Sequence, residues 1–98
     1  MKARLHFREH HDFRDGAFAQ MVIWEVRQPV SGSAHGYKYR LAYMVDGVCV
    51  LRYDNESGKG DHRHWGDVES AYAFSGIDQL VADFLADIER WRNGQGDS

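Results

Sequence analysis

Apolar and polar residues alternate in short bursts up to about residue 74, after which the period lengthens. The run AFAQMVIWEV sets Phe18, Gln20, Val22 and Trp24 against Ala19, Met21, Ile23 and Glu25. Its period of two and its β-branched and aromatic content predict a strand, and apolar residues on both faces place it inside a sheet. YKYRLAY alternates more cleanly, with Tyr37, Tyr39, Leu41 and Tyr43 against Lys38, Arg40 and Ala42. The turn dipeptide Asp46-Gly47 follows, and VCVLRYD resumes the pattern with Val48, Val50 and Arg52 against Cys49, Leu51 and Tyr53. Together these runs predict a β-hairpin. Upstream, RLHFREHHDF predicts an edge strand with Leu5 and Phe7 on one side and Arg4, His6 and Arg8 on the other. A two-residue turn at Asp15-Gly16 joins it to the next strand.

Beyond residue 74, Ile77, Leu80, Val81, Phe84, Leu85, Ile88 and Trp91 recur at helical spacing. Ser75 is the expected N-cap, with Asp78 three residues on, and Gly94 the expected terminator before a flexible tail at 94–98. Residues 28–36, with the only proline, form a connection, and 56–73 fit either short strands or loop. The expected class is α+β: a curved antiparallel β-sheet meander of four or more strands with one C-terminal α-helix packed on a face, as a single domain over 1–93.

A chain of 98 residues, 43% of them apolar, supports one core. The single cysteine and the lack of a signal-length or membrane-length apolar run point to a reducing compartment, the cytoplasm, and to no membrane association. Unpaired sheet edges make a homodimer a secondary expectation. A net charge of −3 argues against broad, sequence-independent adhesion to nucleic acid. Lys2, Arg4, Arg8 and Arg14 nevertheless outnumber Glu9 and Asp12 in the first fourteen residues, so a small basic face is open.

The candidate chemistry lies in GKGDHRHW, residues 58–65. If His62, Arg63 and His64 are extended, both imidazoles point to one face while Asp61 and Arg63 point to the other. Arg52 and Asp54 also share a parity, so a sheet end brings them to the same pocket. Metal-free RNA cleavage needs a base for the 2′-hydroxyl, an acid for the leaving 5′-oxygen and a cation for the phosphate. Histidine serves both proton tasks near neutrality. A metal site built from the two histidines with Asp61 or Asp54 uses the same residues, but two histidines do not close it, and His6, His10, His11 and His35 have no diagnostic spacing. A solvated turn anchored by Trp65 is the bland reading. The three tyrosines of YKYRLAY are core residues before they are a base-stacking platform, and Cys49 is inert packing.

Arg52-Tyr53-Asp54-Asn55 followed by Lys59-Gly60-Asp61-His62-Arg63-His64 resembles the TumE family of small bacterial and archaeal proteins. The resemblance extends over the AFAQMVIWEV strand, the YKYRLAYMVDG hairpin and the C-terminal helix. It implies the toxin component of a toxin-antitoxin pair, with a cognate antitoxin as partner. Many relatives carry an extra histidine or two after the RYDN segment, where this chain has Glu56, Ser57, Gly58 and Lys59. That departure weakens the metal reading and shifts weight to Lys59 as a phosphate contact.

The resulting expectation is a toxin-like endoribonuclease that cleaves single-stranded RNA with no metal and no cofactor. His62 and His64 form its acid-base pair and Asp54 orients a histidine. Arg52, Lys59 and Arg63 clamp the phosphate, with Tyr53 a further substrate contact. The alternative is a non-enzymatic module that docks an antitoxin or other protein partner.

Overall fold

Asp46 and Gly47 both adopt positive φ, 50° and 82°, the type I′ geometry whose twist matches the strands it joins. This turn links β3 (Tyr37–Val45) to β4 (Val48–Asp54) in the computed structural model, which describes residues 3–96. Before them come β1 (Ala3–Asp12) and β2 (Ala17–Val26); after them come β5 (His62–Trp65), β6 (Val68–Ala71) and the helix α1 (Ile77–Gly96). All six strands pair antiparallel with their chain neighbours, giving the order β1-β2-β3-β4-β5-β6. The expected α+β meander with a C-terminal helix is therefore the architecture, and the ambiguous segment 56–73 contributes its last hairpin.

The helix covers one face. Leu80, Phe84 and Ile88 meet Ala19, Met21 and Ile23 of β2, Tyr39, Leu41 and Tyr43 of β3, and Leu51 and Tyr53 of β4 in one buried cluster. Tyr39 and Tyr43 are thus core, as their alternation implied. No strand or helix of the described residues covers the opposite face, where Gln20, Lys38 and Arg40 are exposed.

Several local expectations shift. Strand β1 carries a register irregularity between Leu5 and Phe7, so Leu5 pairs with Trp24 while Phe7 pairs with Ile23. The extra residue puts Leu5 and Phe7 on opposite faces instead of one. The β1–β2 connection is a three-residue loop over 14–16, closed by the Phe13 N–H donating to the Ala17 carbonyl at 2.8 Å. Gly76, not Ser75, precedes the first helical residue, and its carbonyl accepts from the Leu80 N–H at 3.0 Å. Gly94 does not end the helix, which continues to Gly96; the last two residues of the expected tail lie outside the described residues.

Candidate functional site

Strand β5 lies between β4 and β6, with Arg52 opposite His64, Tyr53 opposite Arg63 and Asp54 opposite His62. Alternation sorts these six side chains onto two faces. Arg52, Asp54, His62 and His64 share the uncovered face. Tyr53 and Arg63 point beneath the helix.

On the uncovered face, Arg52 Nη2 donates to His64 Nε2 at 3.1 Å. Arg52 Nε sits 2.7 Å from Asp54 Oδ2, an ion-pair contact without hydrogen-bond alignment. Asp54 thus steadies the arginine, and acts on an imidazole only through it. His62 Nδ1 donates to the Gly60 carbonyl at 2.9 Å, which turns Nε2 outward. Strand β6 adds Glu69, opposite His64. Its Oε2 lies 3.7 Å from His62 Nε2 and 3.8 Å from His64 Nε2. Two rings from alternate positions of one strand therefore aim at one spot beside a guanidinium. The spot meets water: the two imidazoles are 16% and 23% exposed and Glu69 46%. Lys59 is exposed in the β4–β5 loop and shares with His62 the lining of a cleft of about 370 Å³.

The structure does not bring Arg63 and Tyr53 to the histidines. Arg63 Nε donates to Asp87 Oδ2 at 2.7 Å and to the Tyr53 hydroxyl at 3.1 Å. The Tyr53 hydroxyl donates to the same Asp87 oxygen at 2.7 Å, and Arg90 reaches the other. Asp87 is fully buried. Burial pushes its carboxyl up, yet the hydrogen bonds from Arg63 and Tyr53 and the nearby guanidinium charges outweigh this and hold it below the ordinary 3.8. Burial and the Asp87 hydrogen bond push the Tyr53 hydroxyl up.

A second network braces the loop ahead of β5. Asp61 accepts from Ser33 Oγ at 2.6 Å, His35 Nε2 at 2.7 Å and the Tyr39 hydroxyl at 2.7 Å. Burial raises the Asp61 carboxyl, but these three donors prevail and leave it below 3.8. His35 stacks on Phe74 with ring centroids 3.6 Å apart, so it is a structural histidine. Asn55, wholly buried, accepts from the Tyr39 N–H at 2.9 Å and donates to the Tyr37 carbonyl at 2.8 Å and Ser33 Oγ at 3.1 Å. The RYDN run thus splits its work: Arg52 and Asp54 serve the open face, Tyr53 the helix side and Asn55 the loop.

Gly32 and Gly60 meet backbone to backbone within this brace. Gly32 has φ +88°, and a Cβ there would lie 2.4 Å from the Gly60 nitrogen. Gly32→Ala is expected to cost at least about 1–3 kcal/mol from left-handed strain alone, lowering the thermal midpoint by roughly 4 °C or more. Gly47→Ala has a similar φ, +82°, but open space around it. A midpoint loss no larger for Gly32→Ala than for Gly47→Ala would show that the loops do not need this contact.

Neither Glu69 nor Asp87 stood out in the sequence. Glu69 becomes visible once Gly66-Asp67 is read as a hairpin turn, which places it across from His64. Asp87 carries no signal beyond its place on the helix. His6, His10 and His11 are exposed on β1. Among the described residues no three His, Cys, Asp or Glu side chains are grouped to hold one metal ion, and no helix is long and apolar enough to cross a membrane.

No curated protein and no solved structure matches the chain. Residues 2–92 match the family described as Toxin TumE, a span that includes the histidine pair, Arg52, Glu69 and Asp87. The chain belongs to the TumE toxin family.

Proposed function

We infer that this chain is the toxin of a toxin-antitoxin pair and that it cleaves single-stranded RNA without a metal ion, with His62 and His64 as its acid-base pair. The observation that carries the reading is the approach of both Nε2 atoms to the single Glu69 Oε2, beside the Arg52 guanidinium. That carboxylate oxygen marks a place suited to a phosphate oxygen. Glu69 stands half exposed on a four-residue edge strand, so for a phosphate to take this place its carboxylate has to turn out into water.

One imidazole takes the 2′-hydroxyl proton as the oxygen attacks phosphorus. The other protonates the 5′-oxygen as the P–O5′ bond breaks, leaving a 2′,3′-cyclic phosphate and a 5′-hydroxyl. Arg52, set by Asp54, offsets the charge that builds on the phosphoryl oxygens, and Lys59 reaches in from the loop as a second cation.

A docking role without chemistry draws support from a different surface. The inner face of β1 and the helix leave an apolar groove of about 590 Å³, lined by Phe7, Phe13, Met21, Leu85 and Ile88, with Leu85 47% exposed. This groove lies across the sheet from the histidines, so an antitoxin seated there is compatible with catalysis. The Arg52 to His64 hydrogen bond favours chemistry at the other face.

Digestion of single-stranded RNA in excess chelator tests the reading. The expected products carry 2′,3′-cyclic phosphate ends, and the rate is bell-shaped in pH because one ring must be neutral and the other protonated. Cleavage that requires added metal, or none between about pH 5 and 9, would overturn it.

A further inference from the structure

We propose that the uncovered face of β1, β2 and β3 holds the RNA strand beyond the cleavage spot, with Arg8, Lys38 and Arg40 on its phosphates and Trp24 stacked on a base. This rests on the cleavage reading and names where its substrate lies.

Strand register lays the track out. Arg8 pairs with Val22, Val22 with Arg40, Arg40 with Asp54 and Asp54 with His62, one row running straight across the sheet to the histidine pair. The neighbouring row puts Trp24 beside Lys38. Four strand spacings separate β5 from Arg8 on β1, about 19 Å, so a strand of several nucleotides anchored at the histidines reaches both rows.

The charges on this track are uncommitted. Arg8, Lys38 and Arg40 are exposed and make no ion pair with any described residue. Arg63, Arg90 and Arg92, by contrast, are all held by carboxylates on the helix side. The acids that set the net charge at −3 are partitioned likewise: the helix carries Asp78, Asp83, Asp87 and Glu89 against two arginines. On the open face, Asp54 is paired with Arg52, Asp12 lies at the far end beside His10, and Glu69 stands at the cleavage spot beside the two imidazoles, off the track itself. Trp24 is half-buried on that face and pairs with no other aromatic ring among the described residues, so the exposed part of its indole can take a base. A chain too acidic overall for general adhesion to nucleic acid thus keeps one basic, aromatic-bearing surface, and that surface abuts the two imidazoles.

The test is fluorescence polarisation of a labelled ten-nucleotide single-stranded RNA on the cleavage-inactive H62A/H64A chain, which measures binding whether or not the wild type cleaves. Substituting R8Q, K38Q and R40Q together is expected to weaken binding tenfold or more. It should also flatten the slope of log affinity against log salt by about 2, since each single-strand phosphate contact contributes roughly 0.7. W24A is expected to weaken binding roughly fivefold or more with the salt slope unchanged. Unchanged thermal melting of the variants confirms that the sheet is intact. The control R14Q/R27Q removes two exposed arginines outside these rows. An equal loss from the control, no binding by the H62A/H64A chain, or displacement of RNA by a polyglutamate peptide of equal charge would overturn the proposal. The last result would assign the face to an acidic protein segment. Binding that follows the three cations, with no cleavage by the wild type, would remove the catalytic reading and leave this surface standing.

Discussion

His62→Ala and His64→Ala are each expected to lower the rate of RNA cleavage by about 10² to 10⁴, the usual contribution of a general acid or base. Both rings lie on the uncovered face of a four-residue strand and neither belongs to the buried cluster, so truncation should cost far less stability than loss of Asp87 and leave the chain folded. The variants also assign the two roles. Loss of the base removes the acidic limb of the pH profile, and loss of the acid removes the alkaline limb. Arg52→Ala gives a different pattern, a smaller loss that retains both limbs, because the guanidinium supplies charge and moves no proton. Full activity in either histidine variant would end the acid-base assignment.

Asp87→Ala is expected to destabilise the fold by about 3–5 kcal/mol, measured by denaturant unfolding, because it strands the Arg63 guanidinium and the Tyr53 hydroxyl against the core. For a domain of this size that is a large share of total stability. Asp87→Asn keeps an acceptor and should lose less. The same carboxylate, with Asp61, makes the fold acid-sensitive. Both are held below 3.8 in the folded chain, so the unfolded chain binds protons first as pH falls. Their contribution is complete above about pH 4 and disappears as pH drops through the depressed values. The acid transition of Asp87→Asn should be shallower than that of the wild type. A single substitution at Asp87 that left both stability and acid response intact would show that the buried pair contributes nothing.

Strands with clean alternation were legible because one buried face imposes a period of two, and the helix because seven apolar residues kept a period near 3.6. Positions whose environment depends on another strand were not. Nothing in RLHFREHH marks the bulge that separates Leu5 from Phe7, since it is set by pairing with Trp24 and Ile23. The site was half visible. Parity alone brought His62, His64, Arg52 and Asp54 together, and the same parity sends Arg63 and Tyr53 to the other face, which grouping all the cations as one clamp overlooked. Glu69 depends on how residues 56–73 fold, and Asn55 on hydrogen bonds to Tyr37, Tyr39 and Ser33 that span 16 to 22 residues. Such long separations leave no local pattern to read.

Arg63 stands between the two imidazoles on β5 and points the opposite way. A four-residue strand of nearly alternating bases is poorly defended against slippage, and a shift of one position would carry both rings under the helix and the guanidinium into solvent. The buried Asp87 carboxylate and the Tyr53 hydroxyl accept from the charged Arg63 Nε–H, and a neutral imidazole in its place would leave that carboxylate without its counter-charge. Through Arg63, the buried Asp87 thus favours the register that keeps both imidazoles on the uncovered face.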